Sequence, residues 1–112
     1  MDGRVAGGLA ITRAIGDHAY KTFGVTCSPY VVRHVLRPFD KYLILASDGV
    51  WDTVGDQQAV EFLKDGTTKQ MAQKIVKFAL EKGSNDNISC MVIKLNANNE
   101  FYLKINNLIY TI

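Results

Sequence analysis

Of the eleven Asp and Glu residues in the chain, two stand where side-chain chemistry could be organised. Asp48 follows the apolar run Tyr42-Leu43-Ile44-Leu45-Ala46 and Ser47, and precedes Gly49, which lets the backbone turn sharply. Asp86 lies in the turn Gly83-Ser84-Asn85-Asp86-Asn87, immediately before the strand-like segment Ile88 to Leu95. If the strands at 42–47 and 88–95 run antiparallel in one sheet, or face each other at one end of a sandwich, both carboxylates project from one rim. They are then close enough to share a cation. Parallel strands would send them to opposite rims, and the idea would fail. Hard divalent cations are the natural guests: magnesium prefers carboxylate and water oxygens at about 2.0–2.1 Å and keeps several waters. Each residue also has a structural reading, Asp48 as a turn residue before a glycine and Asp86 as an Asx-type turn. Taken one at a time, the structural readings are the stronger.

Other chemistries lack their patterns. The two histidines, His18 and His34, and the two cysteines, Cys27 and Cys90, show no zinc-ligand spacing. The histidines read as surface or half-buried structural residues, and the cysteines as reduced, partly buried thiols. Neither cysteine has a cationic neighbour to lower its pKa, which disfavours a cysteine nucleophile. The glycine segment 7–16 has no Gly-Lys-Ser/Thr ending and no Gly-x-Gly-x-x-Gly spacing, so it is not a nucleotide loop. There is no Gly-x-Ser-x-Gly elbow either. Glu61, Asp65 and Glu81 belong on solvated helix faces.

The elements that must position Asp48 and Asp86 follow from periodicity. Residues Gly7 to Asp17 read as a short glycine-flanked helix that Gly16 ends. Tyr30 to Arg37 alternates and is rich in β-branched residues, as a strand with one buried face does. Pro38, Asp40 and Lys41 mark a turn. The continuous run Tyr42–Ala46 fits a strand covered on both faces. Asp56 is placed to cap a helix with Ala59, Val60 and Leu63 on one side, stopping at Gly66. Thr67 and Gln70 form a capping box for the next helix, where Ala72, Ile75, Val76, Ala79 and Leu80 recur at helical spacing and Gly83 lies past the end. Ile88, Cys90 and Val92 then alternate with Ser89, Met91 and Ile93 in a final strand. Residues 96–112, with five asparagines and no glycine, differ in composition; they read as an edge strand or a loose tail.

Composition narrows the class. A chain of 112 residues forms one small domain or part of a larger one, and 47% hydrophobic with 21% charged residues is ordinary for a globular protein. The net charge is +2 and the basic residues are scattered, which gives no nucleic-acid footprint. No apolar run approaches the roughly 18 residues of a membrane span. Met1-Asp2-Gly3-Arg4 lacks the apolar stretch of a secretory signal, so an intracellular setting, cytoplasmic or nuclear, is expected.

Three blocks, in order and spacing, carry a resemblance. They are Gly8-Leu9-Ala10-Ile11-Thr12-Arg13-Ala14-Ile15-Gly16-Asp17, Tyr42-Leu43-Ile44-Leu45-Ala46-Ser47-Asp48-Gly49-Val50-Trp51-Asp52, and Gly83-Ser84-Asn85-Asp86-Asn87-Ile88-Ser89, with Ser28-Pro29 between the first two. Over Gly3 to Leu95 the chain resembles the C-terminal half of the metal-dependent serine/threonine protein phosphatases of type 2C. The resemblance implies an α+β fold: an antiparallel β-sandwich flanked by helices in four layers, α-β-β-α, with only its C-terminal half in residues 1–95. It implies a binuclear Mg2+ or Mn2+ centre to which Asp48 and Asp86 contribute. Arg13 and Asp17 match a motif near the cleft with a mostly structural role, while Asp52 and Asn87 are placed to orient the ligands. Trp51 is expected in the core. The implied reaction is hydrolysis of phosphoserine or phosphothreonine in a phosphoprotein substrate by a metal-activated water, without a phospho-enzyme.

The family's Asp-Gly-His-Gly-Gly block, its further acidic ligands and its phosphate-binding arginine are not among these 112 residues. The expectation is therefore a chain that lacks its N-terminal half as a partner and is inactive alone. It should also expose a large apolar sheet face. The alternative of a different class is a pseudophosphatase or regulatory binding module that keeps the fold without turnover.

Overall fold

A computed structural model describes residues 3–95, which fall into two compact units divided between Val35 and Leu36. The tail at 96–112, read above as an edge strand or a loose end, lies outside the described residues.

The first unit is held by isolated backbone bridges, one local and one spanning 13 residues. Val5 and Leu9 form an antiparallel bridge and Arg13 a parallel bridge to Thr26. The latter is closed by Ala14 N–H to the Thr26 carbonyl (2.9 Å) and Thr26 N–H to the Thr12 carbonyl (3.1 Å). The expected helix over 7–17 is not formed. Ala6 and Asp17, at either side of it, take left-handed φ of 47° and 49°, a conformation that interrupts helical winding. Winding begins one residue after Asp17, in the single turn α1, His18–Lys21. The expected strand over Tyr30–Arg37 is also not formed among the described residues. Its apolar members, Tyr30, Val31, Val32 and Val35 among them, are exposed. A strand exists only through its ladder partner, and alternation in one segment does not supply one.

The second unit contains a two-stranded antiparallel sheet, β1 (Tyr42–Ala46) with β2 (Cys90–Lys94). The register runs from Tyr42 opposite Lys94 to Ala46 opposite Cys90. Between the strands come α2 (Asp48–Trp51), α3 (Asp56–Glu61) and α4 (Thr68–Glu81). The period of 2 puts Tyr42, Ile44, Ala46, Cys90 and Val92 on the face that packs on the core. There they meet Ile75 and Ala79 of α4, Val50 of α2, and Val54, all fully or almost fully buried. Leu43, Leu45, Met91 and Ile93 share the opposite face, where Leu45 is exposed and the others half-buried. The run at 42–46 is thus covered on one face, not on both. An apolar sheet face does lie partly open, as expected.

α4 forms as its sequence dictates. Thr67 Oγ1 accepts the Gln70 N–H (3.3 Å) while Gln70 Oε1 accepts the Thr67 N–H (2.8 Å), a reciprocal capping box. At the other end Gly83 takes φ of +87°, so that its N–H reaches the Leu80 carbonyl and the Ser84 N–H reaches the Ala79 carbonyl. That is a Schellman motif, for which glycine carries no Cβ penalty. The buried stripe is Met71, Ile75 and Ala79, with Leu80 turned out at 57% exposure. α3 is capped at Gly55 rather than Asp56, whose carboxylate stands in the first turn, where the helix dipole favours it. α3 ends at Glu61; Ala59 in it and Phe62 and Leu63 just beyond it face inward, while Val60 is exposed. Phe62 stacks tilted on Phe78 at 5.2 Å between ring centroids.

Packing of α4 on the sheet sets a clear contrast between two apolar side chains five residues apart on the helix. Ile75→Ala, at a residue with no exposed surface, is expected to cost about 2–5 kcal/mol in urea denaturation followed at 222 nm. Leu80→Ala should stay within about 0.5 kcal/mol.

Candidate metal centre

β1 and β2 run antiparallel, so the end of β1 and the start of β2 fall on one rim. Asp48 is the first residue of α2, directly beyond Ser47, and Asp86 precedes β2 in the turn after α4. The ladder extends past its last bridge: Ser47 N–H donates to the Ser89 carbonyl at 3.0 Å. The Ser47 hydroxyl donates to the Asn87 carbonyl (3.1 Å) and accepts from the Ser89 N–H (3.0 Å). On the other side of Asp48, the Gly49 carbonyl accepts from the Ser84 hydroxyl at 2.6 Å. The backbone on each side of Asp48 is therefore bonded to the segment that carries Asp86.

Gly49 makes the approach possible. A Cβ there would be driven onto the Asn87 carbonyl oxygen, and its backbone sits in a helical turn. The glycine thus serves close approach, not a sharp bend. The turn α2 had no signal in the sequence reading, because four residues are too few for a period.

Both carboxylates are exposed. Asp48 Oδ1 accepts its neighbour Gly49 N–H at 3.0 Å, and Asp86 Oδ1 accepts Asn87 N–H at 2.7 Å. Among the described residues the second oxygen of each accepts no hydrogen bond and neither makes an ion pair. Hard oxygen donors facing water in this way fit a magnesium- or manganese-type ion that keeps part of its hydration. Their number does not complete a centre: among the described residues, no three His, Cys, Asp or Glu side chains form a metal-binding group.

The other candidates are placed differently. Asp52 is the C-cap of α2; its N–H donates to the Asp48 carbonyl at 2.8 Å and its side chain is exposed. Asn87 lends its carbonyl to Ser47 and borders Asp86 directly. Arg13 and Asp17 belong to the first unit. The Arg13 guanidinium donates to the Ser28 carbonyl at 2.9 Å, and the Asp17 carbonyl accepts the Tyr20 N–H at the start of α1. Both contacts are structural. Trp51, expected in the core, is 38% exposed and donates its indole N–H to the Ala46 carbonyl at 3.1 Å; Val50 is the residue of α2 that enters the core. Ser47 and Ser84 escaped the sequence reading altogether, since bonds spanning 35 to 42 residues become visible only once the strand register is known.

Neither thiol is organised as a nucleophile. Cys27 is exposed, and burial pushes the Cys90 thiol up to about 11. His18 and His34 are both exposed. No helix among the described residues is long and apolar enough to cross a membrane.

With this geometry in place, comparison with known proteins becomes specific. Residues 1–88 match the family described as Protein phosphatase 2C. The chain belongs to the protein phosphatase 2C family. It is 44% identical over 96 residues to Protein phosphatase 2C homolog 1 of Saccharomyces cerevisiae, covering 85% of the chain and 34% of that relative. It is 38% identical over 100 residues to Protein phosphatase 2C homolog 1 of Schizosaccharomyces pombe (88% and 28%). A third relative, Probable protein phosphatase 2C 59 of Oryza sativa subsp. japonica, is 40% identical over 92 residues (81% and 28%). The chain thus spans about a third of the length of these protein phosphatase 2C relatives.

Two measurements test the local geometry. Helix propensity alone would make Gly49→Ala stabilising by about 1 kcal/mol. The clash with a backbone carbonyl should outweigh it and give a net loss of about 1–3 kcal/mol in urea. In maleimide labelling at pH 8, Cys27 is expected to react at once and Cys90 much more slowly until the chain is unfolded, read by mass spectrometry.

Proposed function

We propose that this chain is part of the catalytic domain of a metal-dependent protein phosphatase that hydrolyses phosphoserine and phosphothreonine in proteins. The observation that carries the reading is the antiparallel pairing of β1 with β2, which sets Asp48 and Asp86 on adjoining segments of one rim. In this reading their free carboxylate oxygens hold Mg2+ or Mn2+, and the pair acts as part of the ligand set of a binuclear centre. Bound divalent ions supply the charge that lowers the pKa of water and neutralises phosphoryl oxygens.

The protein's own residues hold that charge in place. Asp48 presents its carboxylate from a fixed helical turn, and Asp86 from a turn closed by the Schellman end of α4. Asn87 and Asp52 stand beside the two ligands and orient their segments. Arg13 and Asp17 support the first unit at a distance from the chemistry in sequence and act through structure.

Two carboxylates are too few for a binuclear centre, so the remaining ligands come from an N-terminal half of the domain. Residues 1–95 form the C-terminal half of a four-layer α-β-β-α sandwich, and the open face with Leu43, Leu45, Met91 and Ile93 belongs to its interior. The 112-residue chain alone is inactive. The absence of a third acidic ligand among the described residues also fits a pseudophosphatase or regulatory module. An Asp-Gly-His-Gly-Gly block in the protein that carries this chain decides between the two.

The test is manganese-dependent release of phosphate from a phosphothreonine peptide by the full-length protein. Asp48→Asn and Asp86→Asn should each lower the rate by more than the roughly 100-fold typical of losing an outer-shell partner. Undiminished activity in both variants refutes the assignment.

A further inference from the structure

The rim carries two hydroxyls that neither strand pairing nor helix capping requires. Ser47 is the N-cap of α2, a position where a serine side chain ordinarily accepts an N–H of its own helix. Here it makes no such bond. It reaches across to the partner strand instead, donating to Asn87 and accepting from Ser89. Ser84, just past the end of α4, donates to the Gly49 carbonyl at 2.6 Å, a short hydrogen bond. The two crossings bracket both aspartates: Ser47 and Gly49 flank Asp48, while Ser84 and Asn87 flank Asp86 at two residues and one residue. Among the described residues each aspartate is itself tied only to its own next amide, which fixes its rotamer but not its distance from the other.

We propose that Ser47 and Ser84 are positioning residues that set the spacing between Asp48 and Asp86 for a shared divalent cation. The proposal rests on the metal-centre reading given above. Both hydroxyls are half-buried, so water competes for them less freely than for a surface serine. Each joins segments that the sequence separates by 35 to 42 residues. Without them the rim keeps its backbone rung at Ser47 and Ser89, but the turn at 84–87 is free to shift relative to α2. A shift of that kind degrades a two-carboxylate site while leaving the core of Val50, Ile75 and Val92 packed.

Mn2+ alone, titrated calorimetrically into the full-length protein without substrate, separates this role from general stability. Ser47→Ala and Ser84→Ala should each weaken Mn2+ binding about 10- to 100-fold. Ser47→Thr and Ser84→Thr, which keep the hydroxyl, should stay within about threefold. Should an alanine variant lose its far-UV circular dichroism, Ser→Cys at that position, nearly the same shape with a much weaker hydrogen bond, replaces it with the same expectation. Alanine variants that bind Mn2+ within twofold of the wild type, whatever their melting temperature, overturn the proposal while Asp48→Asn still abolishes binding. Mn2+ binding indifferent to both Asp48→Asn and Asp86→Asn overturns the metal-centre reading itself, and this proposal with it.

Discussion

The antiparallel ladder between β1 and β2 is the constraint on which the rest of the second unit depends. Its register sends Ile44 and Val92 toward Ile75, and a slip by one residue would turn the whole apolar set to the other face. The same register decides the rim. Because Ala46 lies opposite Cys90, the next residues outward are Ser47 and Ser89, and one step further Asp48 falls level with Ile88, two residues from Asp86. Core and site are therefore not separate designs. The hydrophobic alternation that buries one face also determines which polar side chains arrive together at the end of the sheet.

Legibility in the sequence followed the range of the interactions. Strand β1, helix α4 and its capping box, Gly83 at the helix end and the alternation of β2 were all readable, because each is written within a window of a few residues. The rim was readable as a condition: antiparallel strands put Asp48 and Asp86 at the same end of the sheet, and the strands are antiparallel. The first unit was misread. Its glycines and apolar residues imitate a helix, but its bonds run from Thr12 and Ala14 to Thr26, a pairing no local period announces. Residues 30–37 show the complementary limit. Their alternation is strand-like and they form no ladder among the described residues, since a strand is a relation between two segments and not a property of one.

The side chains that were misplaced share a cause. Val60 and Leu80 fall on the apolar stripe by counting, yet both are exposed, while Phe62 and Met71 pack inward. A helix of six residues turns its buried face by where it starts, and α3 is capped at Gly55 and begins at Asp56, one residue earlier than a cap at Asp56 would place it. Trp51 behaves likewise. Winding of α2 directly after β1 leaves room for the small Val50 beneath the sheet and sends the indole back along the strand to Ala46. Ser47 and Ser84 are the instructive omission, because serine beside aspartate in a turn is so common that only the cross-strand partner distinguishes these two.

Two carboxylates on one rim repel each other, and the rim tolerates them for a simple reason. Both are exposed, and in water two unit charges 4 Å apart interact by only about 1 kcal/mol. The segments are held by neutral hydrogen bonds from Ser47 and Ser84 and by the missing Cβ of Gly49, none of which depends on a cation. The placement of the two segments is therefore set by the chain itself. An ion binding at such a rim would spend little of its binding free energy on ordering backbone, which is the general advantage of a preorganised site. The same reasoning explains the burial pattern. Desolvating both aspartates with no counter-charge beside them would cost several kcal/mol per charge, and both remain in water. The apolar residues beneath, Val50 and Ile88, are buried directly under the rim and fix its floor.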